Sequence, residues 1–183
     1  MLSQNRIQRH GYHLMSLASL GILIMAVVGL VASAIPHLPD WSPQWSGWNL
    51  AGLSWQQAVA MSTQGKALLS LACIAGTLAN LIPLIALRLL GKRLYRHDAL
   101  TRPVADAFRW LAHSLLLYAL LHFVAAIVAE FAVGVGGGDA ASLILNFSVG
   151  GAYLFLVASL CLYSIAHIMR LATEAADDSR SIV

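Results

Sequence analysis

Four stretches of this chain are too long and too apolar for the core of a soluble domain. They are LMSLASLGILIMAVVGLVASAI (14–35), ALLSLACIAGTLANLIPLIALRLL (67–90), WLAHSLLLYALLHFVAAIVAEFAV (110–133) and SLILNFSVGGAYLFLVASLCLYSIAHIM (142–169). Crossing about 30 Å of hydrocarbon takes roughly 20 helical residues, so each is long enough to span a bilayer. A backbone in lipid must satisfy its own hydrogen bonds, and none of the four alternates polar with apolar as a barrel strand does. The expectation is an all-α fold, an integral membrane four-helix bundle. With 59% hydrophobic and 10% charged residues among 183, little chain is left for a second core, and residues 1–183 read as one membrane domain.

Orientation follows from the cations. Of eleven Lys and Arg, six (Arg88, Lys92, Arg93, Arg96, Arg102 and Arg109) cluster around the connection between the second and third spans. Arg6 and Arg9 precede the first span, Arg170 and Arg180 follow the fourth, and the remaining connections hold only Lys66. By the positive-inside rule both termini, the hairpin 91–109 and the tail 170–183 are cytoplasmic, while the loop 36–66 lies outside. The chain is expected to cross its membrane several times. The net charge of +3 then reflects topology, and no direct contact with nucleic acid is expected. Arg6, Arg9 and Ala32-Ser33-Ala34 also fit a signal peptide, but an apolar core of about 20 residues exceeds the usual 7 to 15, so the first span reads as a retained helix.

The outer loop carries Trp41, Trp45, Trp48 and Trp55, residues that favour the headgroup layer, and 53–62 predicts a short interfacial helix. The Gly-rich segment 134–142 reads as a turn, since no strand precedes it and no Lys follows it as in a phosphate-binding loop. Cys73 and Cys161 lie in apolar runs without C-x-x-C spacing and read as small hydrophobes. Small residues four apart (Gly29 with Ser33, Ala72 with Gly76, Ala75 with Ala79, Ser148 with Ala152) suggest close helix contacts.

Polar groups within spans are costly, and each is a candidate for function. Asn80 and His122 fall midway along the second and third spans, where a mutual hydrogen bond would specify packing; a proton relay or ligand site is the sharper reading. Pro83 should kink the second span, and packing is the expected use of the kink. Glu130, near an outer end, can reach headgroup water. His13, His113 and His167 fall at similar depth on three helices. They are expected to snorkel, and the alternative is a haem or transition-metal site. No C-x-x-C-H occurs, and no cofactor is the first expectation. Neither G-x-S-x-G nor H-E-x-x-H is present, and Ser16, Ser19, Ser70, Ser114 and Ser159 have no evident base nearby in sequence, so no catalytic residue is assigned and an enzyme is not expected.

Residues 87–117, LRLLGKRLYRHDALTRPVADAFRWLAHSLLL, and 165–183, IAHIMRLATEAADDSRSIV, resemble a bacterial family of small four-span membrane proteins recorded as a domain of unknown function. The shared pattern is a helix end, a Gly-basic turn, an aromatic residue and an Arg-rich entry to the third span, then an amphipathic acidic tail. Tyr95-Arg96-His97-Asp98 departs from the family's Phe-Thr pair, and Ser179-Arg180 interrupts the acidic run. The resemblance implies a membrane partner of a small helix-turn-helix transcriptional regulator, without an activity or a site. The leading expectation is therefore a non-enzymatic membrane protein whose six clustered cations bind a cytoplasmic regulator or anionic lipid; a homo-oligomer is possible. A haem or metal redox protein is the alternative. A transporter or accessory subunit ranks third.

Overall fold

In the computed structural model, residues 2–37, 49–50, 53–96, 101–136 and 149–181 are described. The expectations for Trp41, Trp45 and Trp48, for most of the Gly-rich segment and for the contact of Ser148 lie outside those residues. Helix α1 (Leu2–Ala34) continues into a 3-10 turn, Ile35–His37; a two-residue antiparallel pair, Asn49–Leu50 with Leu53–Ser54, leads into the short α2 (Trp55–Ala60). Three long helices follow: α3 (Thr63–Arg96), α4 (Arg102–Gly136) and α5 (Val149–Ser181). The fold is all-helical apart from that small pair, and four of its helices are long and apolar enough to cross a membrane.

The helices overrun the apolar stretches. Most of the segment 91–109, expected as a hairpin between spans, is helical: α3 runs on to Arg96 and α4 begins at Arg102. Leu, Lys and Arg are good helix formers, so the end of the apolar stretch does not end the helix. Two caps fix the starts. Ser62 Oγ accepts from Gly65 N at 3.2 Å, and the Ser62 carbonyl accepts from Lys66 N at 2.9 Å, which satisfies orphan donors in the first turn of α3. In α4 the Thr101 carbonyl accepts from Val104 N and Ala105 N, with Pro103 in the first turn, where its missing donor costs nothing.

Each long helix packs chiefly on its neighbour in chain order: α1 on α3, α3 on α4, α4 on α5. This is an open bundle with α3 and α4 inside. Small residues fill its interfaces: Ala18, Ala72, Ala79, Ala112, Ala125 and Ala132 are buried, whereas Leu17, Leu23, Leu30, Leu120, Phe131 and Leu160 are exposed. A soluble core would place these the other way round. When the surroundings are as apolar as leucine, what draws helices together is close backbone approach, which small side chains permit.

Glycine sets that approach at three levels. Near the α3–α4 connection Gly11 of α1 lies against Gly91 of α3. A Cβ on Gly91 would stand 2.8 Å from Met15 N and 2.9 Å from Gly11 O, and one on Gly11 would stand 2.7 Å from Tyr95 N. Gly91, which the sequence suggested as part of a turn, is therefore a helix crossing point. Further along, Gly29 packs directly on the Thr77 side chain. At the opposite end a Cβ on Gly65 would meet the Cα of Gly136 in α4 at 2.8 Å. Of the small-residue pairs suggested by sequence, Ala72 and Ala79 are buried, and Gly76 faces Ala125 of α4.

Two apolar clusters close the ends. One joins Ala58 of α2 and Met61 to Leu69, Ala132 and Val133; there Ser62 Oγ also donates to the Val135 carbonyl at 3.3 Å. The other, around Ala86, Leu90, Val104, Ala107 and Leu111, draws in Leu14 of α1 and Leu162 and Met169 of α5, so all four long helices meet there. Pro83 lies within α3, and the helix continues through it.

Gly91→Val should lower the stability of the purified protein in detergent by about 1 to 3 kcal/mol, because backbone stands where the side chain must go. Gly134→Val is the comparison, since nothing lies within 4 Å of a Cβ there. Equal melting temperatures for the two variants would contradict the glycine crossing.

Candidate functional site

The clustered cations divide into three structural roles. Arg88, Lys92 and Arg96 are exposed and four residues apart, so they form one stripe over the last turns of α3. Cations there also suit the negative end of the helix dipole. Arg93, half-buried between them, points elsewhere: its Nη1 donates a short hydrogen bond to the Pro103 carbonyl. That bond ties the end of α3 to the start of α4.

Arg102 and Arg109 take the third role. Arg102, Asp106 and Arg109 recur at helical spacing on α4, as do Tyr163, Ala166, His167 and Arg170 on α5, and these two faces enclose an open cleft of about 320 Å³. The α4–α5 contact beneath it is polar and aromatic. Ser159, 1% exposed, donates from Oγ to the Ala112 carbonyl at 3.1 Å. The His113 ring meets Tyr163 edge-on at 5.1 Å and Trp110 at 6.4 Å. His113 Nδ1 lies 2.8 Å from the Arg109 carbonyl, which can only accept; Nδ1 therefore carries the proton.

Three guanidiniums and an imidazole line this cleft against one carboxylate, Asp106. The acidic tail of α5 supplies the balance at the rim. Arg170 Nε donates to Glu174 Oε1 at 2.9 Å, one turn on, and Arg102 Nη2 stands 3.9 Å from Asp177 Oδ2. Both pairs are substantially exposed, and solvent screens them. They are easily exchanged for a better anion. Among the described residues Arg109 makes no ion pair.

The remaining candidates do not converge. His113 and His167 lie on neighbouring helices at this end, while His13 is on α1 beside Tyr12. Among the described residues no three His, Cys, Asp or Glu side chains are grouped to hold a metal ion. Asn80 Nδ2 donates to the Gly76 carbonyl, 2.8 Å away in its own helix, and the His122 ring stacks on Tyr118, which meets Phe155 of α5 edge-on. Asn80 thus serves α3 and His122 the aromatic contact between α4 and α5. Glu130 is half-buried near the far end of α4.

One arrangement escaped the sequence reading. Ser70 does have a base beside it: His37 Nε2 lies 3.0 Å from Ser70 Oγ, brought there by the 3-10 turn after α1. The serine proton, however, goes to the Ser33 carbonyl at 2.9 Å, so Nε2 must be the donor in its contact with Ser70. The three residues fasten the end of α1 to α3. A separation of 33 residues gave no local signal for it.

Compared with known proteins, the chain matches no family, no curated sequence and no solved structure.

Replacing Arg93 by Met keeps the apolar stem and deletes the donor. A charge-assisted hydrogen bond contributes about 1.5 to 3 kcal/mol, and partial exposure here reduces that. Arg93→Met should therefore melt several degrees below the wild type, whereas Lys92→Met, on the exposed stripe, should leave the melting temperature within experimental scatter.

Proposed function

We propose that this chain is a multi-pass protein of a bacterial inner membrane that acts without catalysis, by presenting its cationic end to an acidic partner in the cytoplasm. The observation that carries the reading is the exposed stripe of Arg88, Lys92 and Arg96 on α3, beside the α4–α5 cleft at one end of the bundle. Four apolar helices with large side chains turned outward support insertion in lipid. Positive charge gathered at one end supports a cytoplasmic placement of that end and of both termini. A surface of this kind favours fast, salt-sensitive encounter with a negatively charged partner. The small helix-turn-helix regulator comes from the resemblance of residues 87–117 and 165–183 alone. The Ser70–His37 pair supports the non-catalytic reading, since the serine proton is directed to a backbone carbonyl.

Green fluorescent protein fused after Val183 should fluoresce in bacterial cells, and alkaline phosphatase at the same place should be inactive; the reverse pattern would invert the topology. The tagged protein in detergent should retain a small helix-turn-helix regulator from the same cells at low salt and release it at high salt. Capture should be lost in the Arg88→Gln/Lys92→Gln/Arg96→Gln variant. Failure to capture it at low salt would remove the regulator as partner.

A further inference from the structure

We propose that the cleft between α4 and α5 binds the phosphate of an anionic phospholipid headgroup, with Arg102, Arg109 and Arg170 as its ligands and Asp177, which stands against Arg102, as a resident competitor. The proposal rests on the membrane reading above, and assigns to the cleft a task separate from that of the α3 stripe.

Three observations converge on this ligand. The first is chemical. Guanidiniums from two helices, Arg102 and Arg109 on α4 and Arg170 on α5, line one cleft with His167 and Tyr163, which adds an imidazole and a phenol able to donate. Arginine forks match phosphate oxygens in pairs, and charge-assisted bonds of this kind are roughly twice as strong as neutral ones. About 320 Å³ is at the small end of the range for ligand pockets and suits a glycerophosphate group better than a folded peptide.

The second is position. The cleft lies where the apolar stretches of α4 and α5 begin and end, and along the same helices Trp110 and Leu160 are exposed at 67% and 58%. Trp favours the headgroup layer. A ligand with a phosphate and acyl chains uses both surfaces, while free phosphate would use only the cleft.

The third is the tail. Asp177 reaches Arg102 at 3.9 Å between groups that are each more than half exposed, a weak contact that a phosphate can displace. Glu174 holds Arg170 more closely, accepting a hydrogen bond from its Nε at 2.9 Å. The acids of α5 thus occupy guanidiniums that an anionic headgroup would otherwise engage, and lipid binding would release the end of α5 from the start of α4.

The test is native mass spectrometry of the full chain from neutral maltoside micelles, offered phosphatidylglycerol or phosphatidylcholine with the same acyl chains. Wild type should retain phosphatidylglycerol preferentially. Arg109→Gln/Arg170→Gln should lose that preference by about tenfold or more. Asp177→Asn, which removes the competitor without touching the cleft's cations, should strengthen it. Arg88→Gln/Lys92→Gln, equal in charge change but on the α3 stripe, should leave it unchanged. An unchanged preference in the Arg109/Arg170 variant, or an equal loss in the stripe variant, would overturn the site. Displacement of the lipid by inorganic phosphate at matching concentration would overturn the lipid assignment in favour of a soluble anion. If the Arg109/Arg170 variant does not fold, failure of Asp177→Asn to gain affinity overturns the proposal by itself. Micelles have no sides, so this result is independent of the topology experiment, and failure of either is distinguishable from failure of the other.

Discussion

The approach of α3 to its two neighbours is the contact on which the rest of the architecture depends. It is made by backbone: Gly11 on Gly91, and Gly65 on Gly136, with Gly29 on Thr77 between. In water, large apolar side chains would bury themselves and helices would stand farther apart, since burial of each such side chain contributes about 1.5 to 3 kcal/mol. In lipid that incentive disappears, because leucine gains little from exchanging one hydrocarbon surrounding for another. What would remain is dispersion between closely fitted surfaces and a few polar ties, each small, a setting that suits the glycine and alanine found in this interior. The exposed Leu17, Leu23 and Leu30 of α1 fit the same setting.

Close packing then decides what the charged end can be. α3 and α4 are packed together and joined by Arg93 to Pro103, and the other cations of residues 88–109 are divided between the two helices. Those on α3 face away as a stripe, and those on α4 turn toward α5 and meet Arg170. The polar tie from Ser159 to Ala112 and the edge-on contact of His113 with Tyr163 hold α5 at the distance that makes a cleft instead of a sealed seam. Proposed regulator docking and proposed lipid binding therefore have separate surfaces. Variants on α3 and on α4 or α5 should separate the two phenotypes.

Much of this was legible in the sequence where the signal is long and one-dimensional. Four apolar stretches announce four helices, because lipid leaves the backbone few alternatives. Helix ends were less legible: hydropathy marks where the chain leaves the apolar layer, while Leu-Leu-Gly-Lys-Arg-Leu continues as helix beyond it. Gly91 showed the same ambiguity, since one residue type serves both turns and crossings, and only the partner Gly11, eighty residues away, decides between them. The clustered cations were visible as composition. Their division was hidden, because it depends on which helix packs beside which; the spacing of Arg102, Asp106 and Arg109 against Tyr163, His167 and Arg170 gains meaning only once α4 and α5 are known to be neighbours.

The polar residues at mid-span yield a related lesson about cost. An amide or imidazole inside an apolar segment suggests function because burying it unsatisfied costs free energy, yet the penalty vanishes if a partner lies one turn away. Asn80 finds the Gly76 carbonyl, Thr77 the Cys73 carbonyl at 2.7 Å, Ser19 the Met15 carbonyl at 2.8 Å, and Ser114 the Leu111 carbonyl at 2.7 Å. Each of these side chains has a hydrogen-bond partner within its own helix. The guanidiniums at the end of α4 and α5 differ, since no nearby carbonyl satisfies a charge in the way a phosphate or carboxylate does. Their present partners, Glu174 and Asp177, are side chains of the same tail and exposed to exchange. It is this contrast, between polar groups answered within one turn and charges answered by exposed pairs, on which the proposed binding at the end of the bundle rests.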